Sequence, residues 1–199
     1  MTADLPQREG RGGRGARGRI LQAARVLFRN PGINATGVAE LAAAAQVSKR
    51  TLYRHFPSKD HVILAYLQDF EDHPELGAEA VLAREDLAPR ARLLELFAAL
   101  EDEPAPARGC PFVNAAVELA DSAHPAHRLA VAHKRRFADR LGELARAAGA
   151  RGADDVGRRL ALLYDGASAQ AAVHGSAQAA GEARAIAAAI LRDAIDPHS

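Results

Sequence analysis

Lys49, Arg50 and Thr51 stand in a row directly after Ser48. Their types suit hydrogen bonding to nucleic acid better than covalent chemistry. A helix entering a major groove must offer base edges a few long or hydrogen-bonding side chains near its N-terminus. Ser48 is a strong N-cap, so the spacing places those three residues in a first helical turn. Val47, Leu52 and Phe56 then fall on another face, which packs inward. Tyr53, Arg54 and His55 lie further along, suited to phosphates and groove walls. Lys59 comes near the start of the next helix, where backbone N–H groups and a cation together suit a phosphate. Thr36 opens an earlier helix, and its hydroxyl can cap that helix or meet a phosphate. Taken singly, a Lys–Arg pair is more often a solvated helix face, and Tyr53 alone reads as a half-buried core ring. The arrangement of turn, cap, basic pair and aromatic between two capped helices favours a helix-turn-helix.

Other chemistry finds less support. Catalysis needs a nucleophile with a base, or paired carboxylates in a pocket, and no such spacing occurs. Asp154 and Asp155 read as helix-start residues, and Glu101, Asp102 and Glu103 as a solvated helix end. No enzyme activity and no cofactor are expected. The one cysteine, Cys110, excludes an intrachain disulfide. It reads as a small buried hydrophobe before it reads as a sensor thiol. His124 and His127, with Asp121 nearby and His133 further on, are close enough to raise a metal site. They complete no known ligand pattern, and Pro125 marks a helix start, so capping or surface roles are expected and no metal.

The elements that must position the basic cluster follow from periodicity. The chain has 199 residues and a net charge of +1, but the charge is uneven. Residues 1–60 hold 11 Lys and Arg against 4 Asp and Glu, a net of +7, and the remainder is net −6. The positive end is where a polyanion would bind. Residues 1–15 are rich in Gly and Arg and are expected to form a disordered basic arm. A DNA-binding domain is expected over 16–60 and a helical regulatory and dimerisation domain over 61–199. Helical spacing appears at 16–29, 36–44, 48–56, 58–72, 89–102, 109–121, 126–148, 154–174 and 178–195. Residues 73–88 resist assignment. No useful stretch alternates with period two, so the expected fold is all-α. No stretch suits a membrane span or signal peptide, and a cytoplasmic location is expected.

The stretch from Gly32 to Leu67, with TLYRHFPSKD at 51–60, resembles the N-terminal domain of the TetR family of transcription regulators. The likeness extends back to ILQAARVLF at 20–28. RGCPFVNAAVELAD at 108–121 and LALLYDGA at 160–167 resemble one subgroup of that family. The resemblance implies a ligand pocket in the body, a dimer interface on the two C-terminal helices, and Lys49 and Arg50 on the recognition helix. Thr51, Tyr53 and His55 would touch backbone or groove edge, and Lys59 a phosphate. Two positions depart from the pattern. Gln46 stands where the family usually has glycine; if φ is positive there, glutamine costs about 1 kcal/mol. Arg50 replaces a residue that is small in many members.

Ligand pockets are apolar cavities with a few convergent polar groups. Candidate lining residues are Tyr66 and Phe70, then Leu93 and Phe97. Phe112, Asn114 and Val117 follow on the next helix, then His133, Phe137 and Tyr164. Each also reads as plain core, and Asn114 as a tie between helices. The last two helices carry small residues that allow close approach, with Leu160, Leu163, Ala167 and Ala171 on one and Ala183, Ile186, Ala187 and Ile190 on the other. They suit a four-helix contact between two subunits, or else the completion of one subunit's core. The expected function is a dimeric repressor of an inverted-repeat DNA operator, released by a small apolar ligand. The alternatives are a constitutive DNA-binding protein or activator without a sensor, and an enzyme or protein-binding module.

Overall fold

The structure is a computed structural model, and it describes residues 14–74, 77–102, 109–174 and 178–195. Among these the fold is all-α: α1 Arg14–Arg29, α2 Val38–Ala44, α3 Lys49–His55, α4 Lys59–Glu71, α5 Ala78–Leu82, α6 Pro89–Asp102, α7 Pro111–Glu118, α8 Pro125–Ala147, α9 Ala153–His174 and α10 Gln178–Ile195. No helix among the described residues is long and apolar enough to cross a membrane. The chain divides into two compact units, and the boundary falls inside α4 between Tyr66 and Leu67.

α1 begins at Arg14, so Arg14 and Gly15, expected in the arm, are helical. Ala16 is fully buried, so the core already holds the first turn of this helix. The rest of the arm lies outside the described residues. Ile20, Ala24 and Phe28 from α1 meet Leu41, Leu52, Phe56 and Ile63 in the core of the N-terminal unit, all almost wholly buried. Each large side chain contributes roughly 1.5–3 kcal/mol through burial. Tyr66, expected in a ligand pocket, packs instead in this unit, edge-on to Phe28 with ring centroids 5.3 Å apart.

The C-terminal unit is built on α8, α9, α10 and α6. Leu93, Leu96, Phe97, Phe137, Leu141, Leu160, Ala183, Ala187 and Leu191 share one core cluster. α8 and α9 cross at two glycines. A Cβ on Gly157 would stand 2.5 Å from the Gly142 nitrogen and 2.6 Å from the Ala138 carbonyl oxygen, so only hydrogen fits there. The unassigned stretch contains the short helix α5, whose Leu82 is fully buried. α7 runs from Pro111 to Glu118, shorter than the 109–121 that periodicity suggested. Pro111 fills the first helical turn, where its missing N–H costs nothing.

Candidate nucleic-acid interface and body cleft

The turn between α2 and α3 sets the direction of the basic cluster. Ala45 ends α2, and the next residue, Gln46, has φ +53°. Gln46 N–H donates to the Ala43 carbonyl and Val47 N–H to the Ala42 carbonyl, at 3.0 and 2.9 Å. This is the hydrogen-bond pattern of a helix end closed by a left-handed residue. The position where glycine would be free of strain is thus filled by a residue that is not. α3 starts on Ser48, whose Oγ accepts from Thr51 N–H at 3.0 Å and lies 2.9 Å from Thr51 Oγ1. Leu52 and Phe56 are buried beneath α3, and this leaves Lys49, Arg50, Tyr53 and Arg54 exposed on its outer side. Tyr53 keeps 49% of its surface in solvent. Thr51, His55 and Lys59 are partly covered.

Thr36 is a correction. It is wholly buried, and its hydroxyl donates to the Gly32 carbonyl at 2.7 Å. Gly37, not Thr36, is the N-cap residue of α2. The hydroxyl therefore neither caps that helix nor reaches a phosphate; it ties down the chain leaving α1. Ser58 does cap α4, accepting from His61 N–H at 3.4 Å. Two basic residues of α1 brace the module: Arg17 lies over the Phe56 ring at 5.4 Å, and Arg19 Nε donates to the Ala45 carbonyl at 3.0 Å.

In the C-terminal unit several expected pocket residues do converge. Phe97 and Phe137 both face the Tyr164 ring, at 6.0 and 5.4 Å between centroids. Phe112 stacks on His133 at 3.5 Å and 8°. Leu93 joins the same core, and Asn114 is half-buried on α7. Val117 does not converge: it is 75% exposed, because it stands on the outer face of α7, opposite buried Phe112 and Ala115. Lys134 pairs with Asp165 at 2.6 Å and lies over Phe137.

Beside this cluster opens a cleft of about 770 Å³. α4 supplies Phe70 and Glu71, Pro74 follows, and α5 supplies Glu79. One stripe of α8 closes it with His133, Arg136, Asp139, Arg140 and Glu143. Of the expected pocket residues, only Phe70 and His133 line it. The charged residues were invisible as a site in the sequence because their helical spacing reads as a solvated face. Glu71 pairs with Arg136 and stands 3.4 Å from His133 Nδ1. With Glu71 already engaged, burial against Phe112 dominates, aided by the neighbouring cations Lys134 and Arg136. The His133 pKa falls from 6.5 to about 4. Burial raises the Glu79 carboxyl, against the pull of Arg140, Lys134 and Arg136.

The remaining singled-out residues have structural partners. His124 is the N-cap of α8, its Nδ1 accepting from Ala126 N–H at 3.1 Å. His127 Nδ1 is 2.9 Å from the Leu119 carbonyl. Burial pushes the Cys110 thiol up, away from reactivity.

The two C-terminal helices also need correction. Leu160, Ala167, Ala183 and Ala187 are buried within the protomer, where they join α9 and α10 to α6 and α8. Leu163, Ala171 and Ile190 are half-buried, and of the eight only Ile186 is exposed. The outward stripe of α9 is Leu162, Gly166, Ala169, Gln170 and Val173. Leu162 and Val173 are 77% and 74% exposed. Apolar residues on both faces of α9 were the missed signal.

Comparison with known proteins agrees with this geometry. A family model described as bacterial regulatory proteins, tetR family, matches residues 20–66. One described as tetracyclin repressor-like, C-terminal domain, matches 89–187. The crystal structure of SCO4454, a TetR-family transcriptional regulator from Streptomyces coelicolor, is 33% identical with a TM-score of 0.83, covering 92% of this chain and 97% of that one. A putative TetR transcriptional regulator from Streptomyces avermitilis (sav143) is 34% identical with a TM-score of 0.77, covering 91% and 98%. The HTH-type transcriptional activator FasR of Mycolicibacterium smegmatis is 42% identical over 66 residues, which span 33% of this chain and 30% of that protein.

Proposed function

This chain belongs to the TetR family of bacterial regulatory proteins, and from that premise we propose that it is a homodimeric repressor released from its operator by a small ligand. It is a DNA-binding transcription regulator. The observation that carries the reading is the outward face of α3. Lys49, Arg50 and Tyr53 are exposed there while Leu52 beneath them is fully buried. Two such helices related by a two-fold axis would read half-sites of an inverted repeat. The exposed stripes of α9 and α10, with Leu162, Val173 and Ile186, supply the apolar surface for self-association. Repression with release is supported by the aromatic cluster and neighbouring cleft in the C-terminal unit. α4 is one helix with Lys59 at its start and Phe70 and Glu71 at the cleft. A ligand with an apolar body that prefers one position of α4 would shift the population away from the DNA-competent form.

The test is binding of the protein to the DNA upstream of its gene, with any inverted repeat found there as the operator probe. Replacing Lys49 and Arg50 with alanine should lower affinity strongly and reduce the salt slope by roughly 2, about 0.9 per lost phosphate contact. An unchanged affinity would remove the DNA-reading role of α3. Activation is the second reading, favoured by the name of FasR as an activator. Transcription in vitro from the same promoter separates the two: a rise on adding protein would replace repression by activation.

A further inference from the structure

The cleft of the C-terminal unit has an uneven charge balance. Its walls hold four carboxylates, Glu71, Glu79, Asp139 and Glu143, against two guanidiniums, Arg136 and Arg140. His133 adds no charge near neutral pH. Both guanidiniums are engaged, Arg136 by Glu71 and Arg140 by Glu143. Among the described residues no cation stands within ion-pair distance of Glu79 or Asp139. Asp139 is exposed to water, but Glu79 is half-buried, and Arg140, Lys134 and Arg136 act on it only from beyond ion-pair distance. Phe70 and Pro74 add apolar surface to the same cleft.

We propose that this cleft binds a small amphiphilic cation, an ammonium or amidinium on an apolar body, with Glu79 as its counter-charge. The inference rests on the ligand-responsive reading above and names the chemical class of its ligand. An anion could reach the free N–H donors of Arg136 and Arg140, but each of those charges is already shared with a carboxylate, and Glu79 and Asp139 would repel it. A cation breaks no existing pair. It meets a carboxylate where water is partly excluded and attraction is stronger than in bulk solvent. The Phe70 ring lies within the same walls and favours a cation over an anion. The apolar body of the ligand would cover Phe70 and Pro74.

Calorimetric titration of the full-length protein without DNA tests this with three probes of similar size: benzyltrimethylammonium, benzyl alcohol and benzoate. The ammonium should bind, with the alcohol and benzoate weaker by about 10-fold or more. Glu79→Gln should weaken the ammonium by a similar factor while the protein stays folded by circular dichroism. Arg140→Gln, which removes a cation from the same wall, should tighten it. Benzoate or alcohol binding as tightly as the ammonium overturns the proposal. So does an unchanged affinity in folded Glu79→Gln, or no binding of the ammonium at millimolar concentration. Operator binding measured with the same probes judges the release reading separately. A neutral or anionic probe that releases DNA keeps the sensor and rejects the cation. A Glu79-dependent cation that leaves operator affinity unchanged does the reverse.

Discussion

At the scale of single residues, a side chain's role depends on where its polar atom ends. Ser48 and Thr36 both look like helix caps in the sequence. Ser48 caps α3, whereas Thr36 is buried with its hydroxyl on the Gly32 carbonyl. The difference lies in Gly37, which takes the extended backbone ahead of α2 and moves the cap one residue on. Thr36→Val should therefore cost about 1–2 kcal/mol of stability through the deserted carbonyl. It should leave the salt slope of operator binding unchanged, and a fall of about one unit in that slope would restore a phosphate contact. His133 carries a second prediction. Its imidazole stays neutral in the folded protein down to about pH 4, against 6.5 when unexposed to these neighbours. The unfolded chain thus binds the proton first, and stability present above about pH 6.5 is lost as pH falls toward 4. With partial exposure the loss is roughly 1–2 kcal/mol. Thermal melts at pH 7 and pH 5 should show a smaller drop for His133→Phe, which keeps the stack on Phe112 but cannot titrate. Equal drops would mean that the ring is not held neutral by its surroundings.

At the scale of elements, the helix limits followed closely from caps and breakers. Pro89 opens α6, Pro125 opens α8 after the His124 cap, and Gly149, with φ +87°, follows its end. The contacts between helices were harder to read. Gly157 looks like a mild flaw inside an amphipathic helix, yet it touches Gly142 backbone to backbone. Gly157→Ala should push α8 and α9 apart at a cost of about 3 kcal/mol, lowering Tm by roughly 5–10 °C in calorimetry. A Tm within a degree of the parent would show that the crossing has slack. α5 escaped assignment because only five residues form it, too few for a periodic signal.

At the scale of the whole molecule, the question is which faces of α9 and α10 remain for a second copy. Ala183 and Ala187 are used up by the protomer's own core, while Leu162 and Ile186 stay exposed. The paired change Leu162→Glu and Ile186→Glu should give a folded monomer in sedimentation. Operator affinity should drop by roughly 100-fold or more as the two half-sites lose their linkage. Ala187→Glu should instead unfold the chain. A folded, dissociated Ala187→Glu protein would reverse the assignment of these faces.

The sequence by itself determined the all-α class, the helix-turn-helix and the outward basic cluster of α3. These depend on local terms, namely cap chemistry, helical periodicity and charge, which act over a few neighbouring residues. The left-handed backbone at Gln46 was foreshadowed only by the family resemblance, which puts glycine at that turn. Only the tertiary structure decided that Thr36 is internal, that Tyr66 serves the N-terminal core, and which side of α9 is free. It also drew Glu71, Glu79, Arg136 and Arg140 into one cleft from helices far apart in the chain. An amphipathic pattern tells that a face is buried or wet, but not which partner covers it. A polar stripe looks the same facing open water as facing a cleft, because that difference is made by atoms distant in sequence.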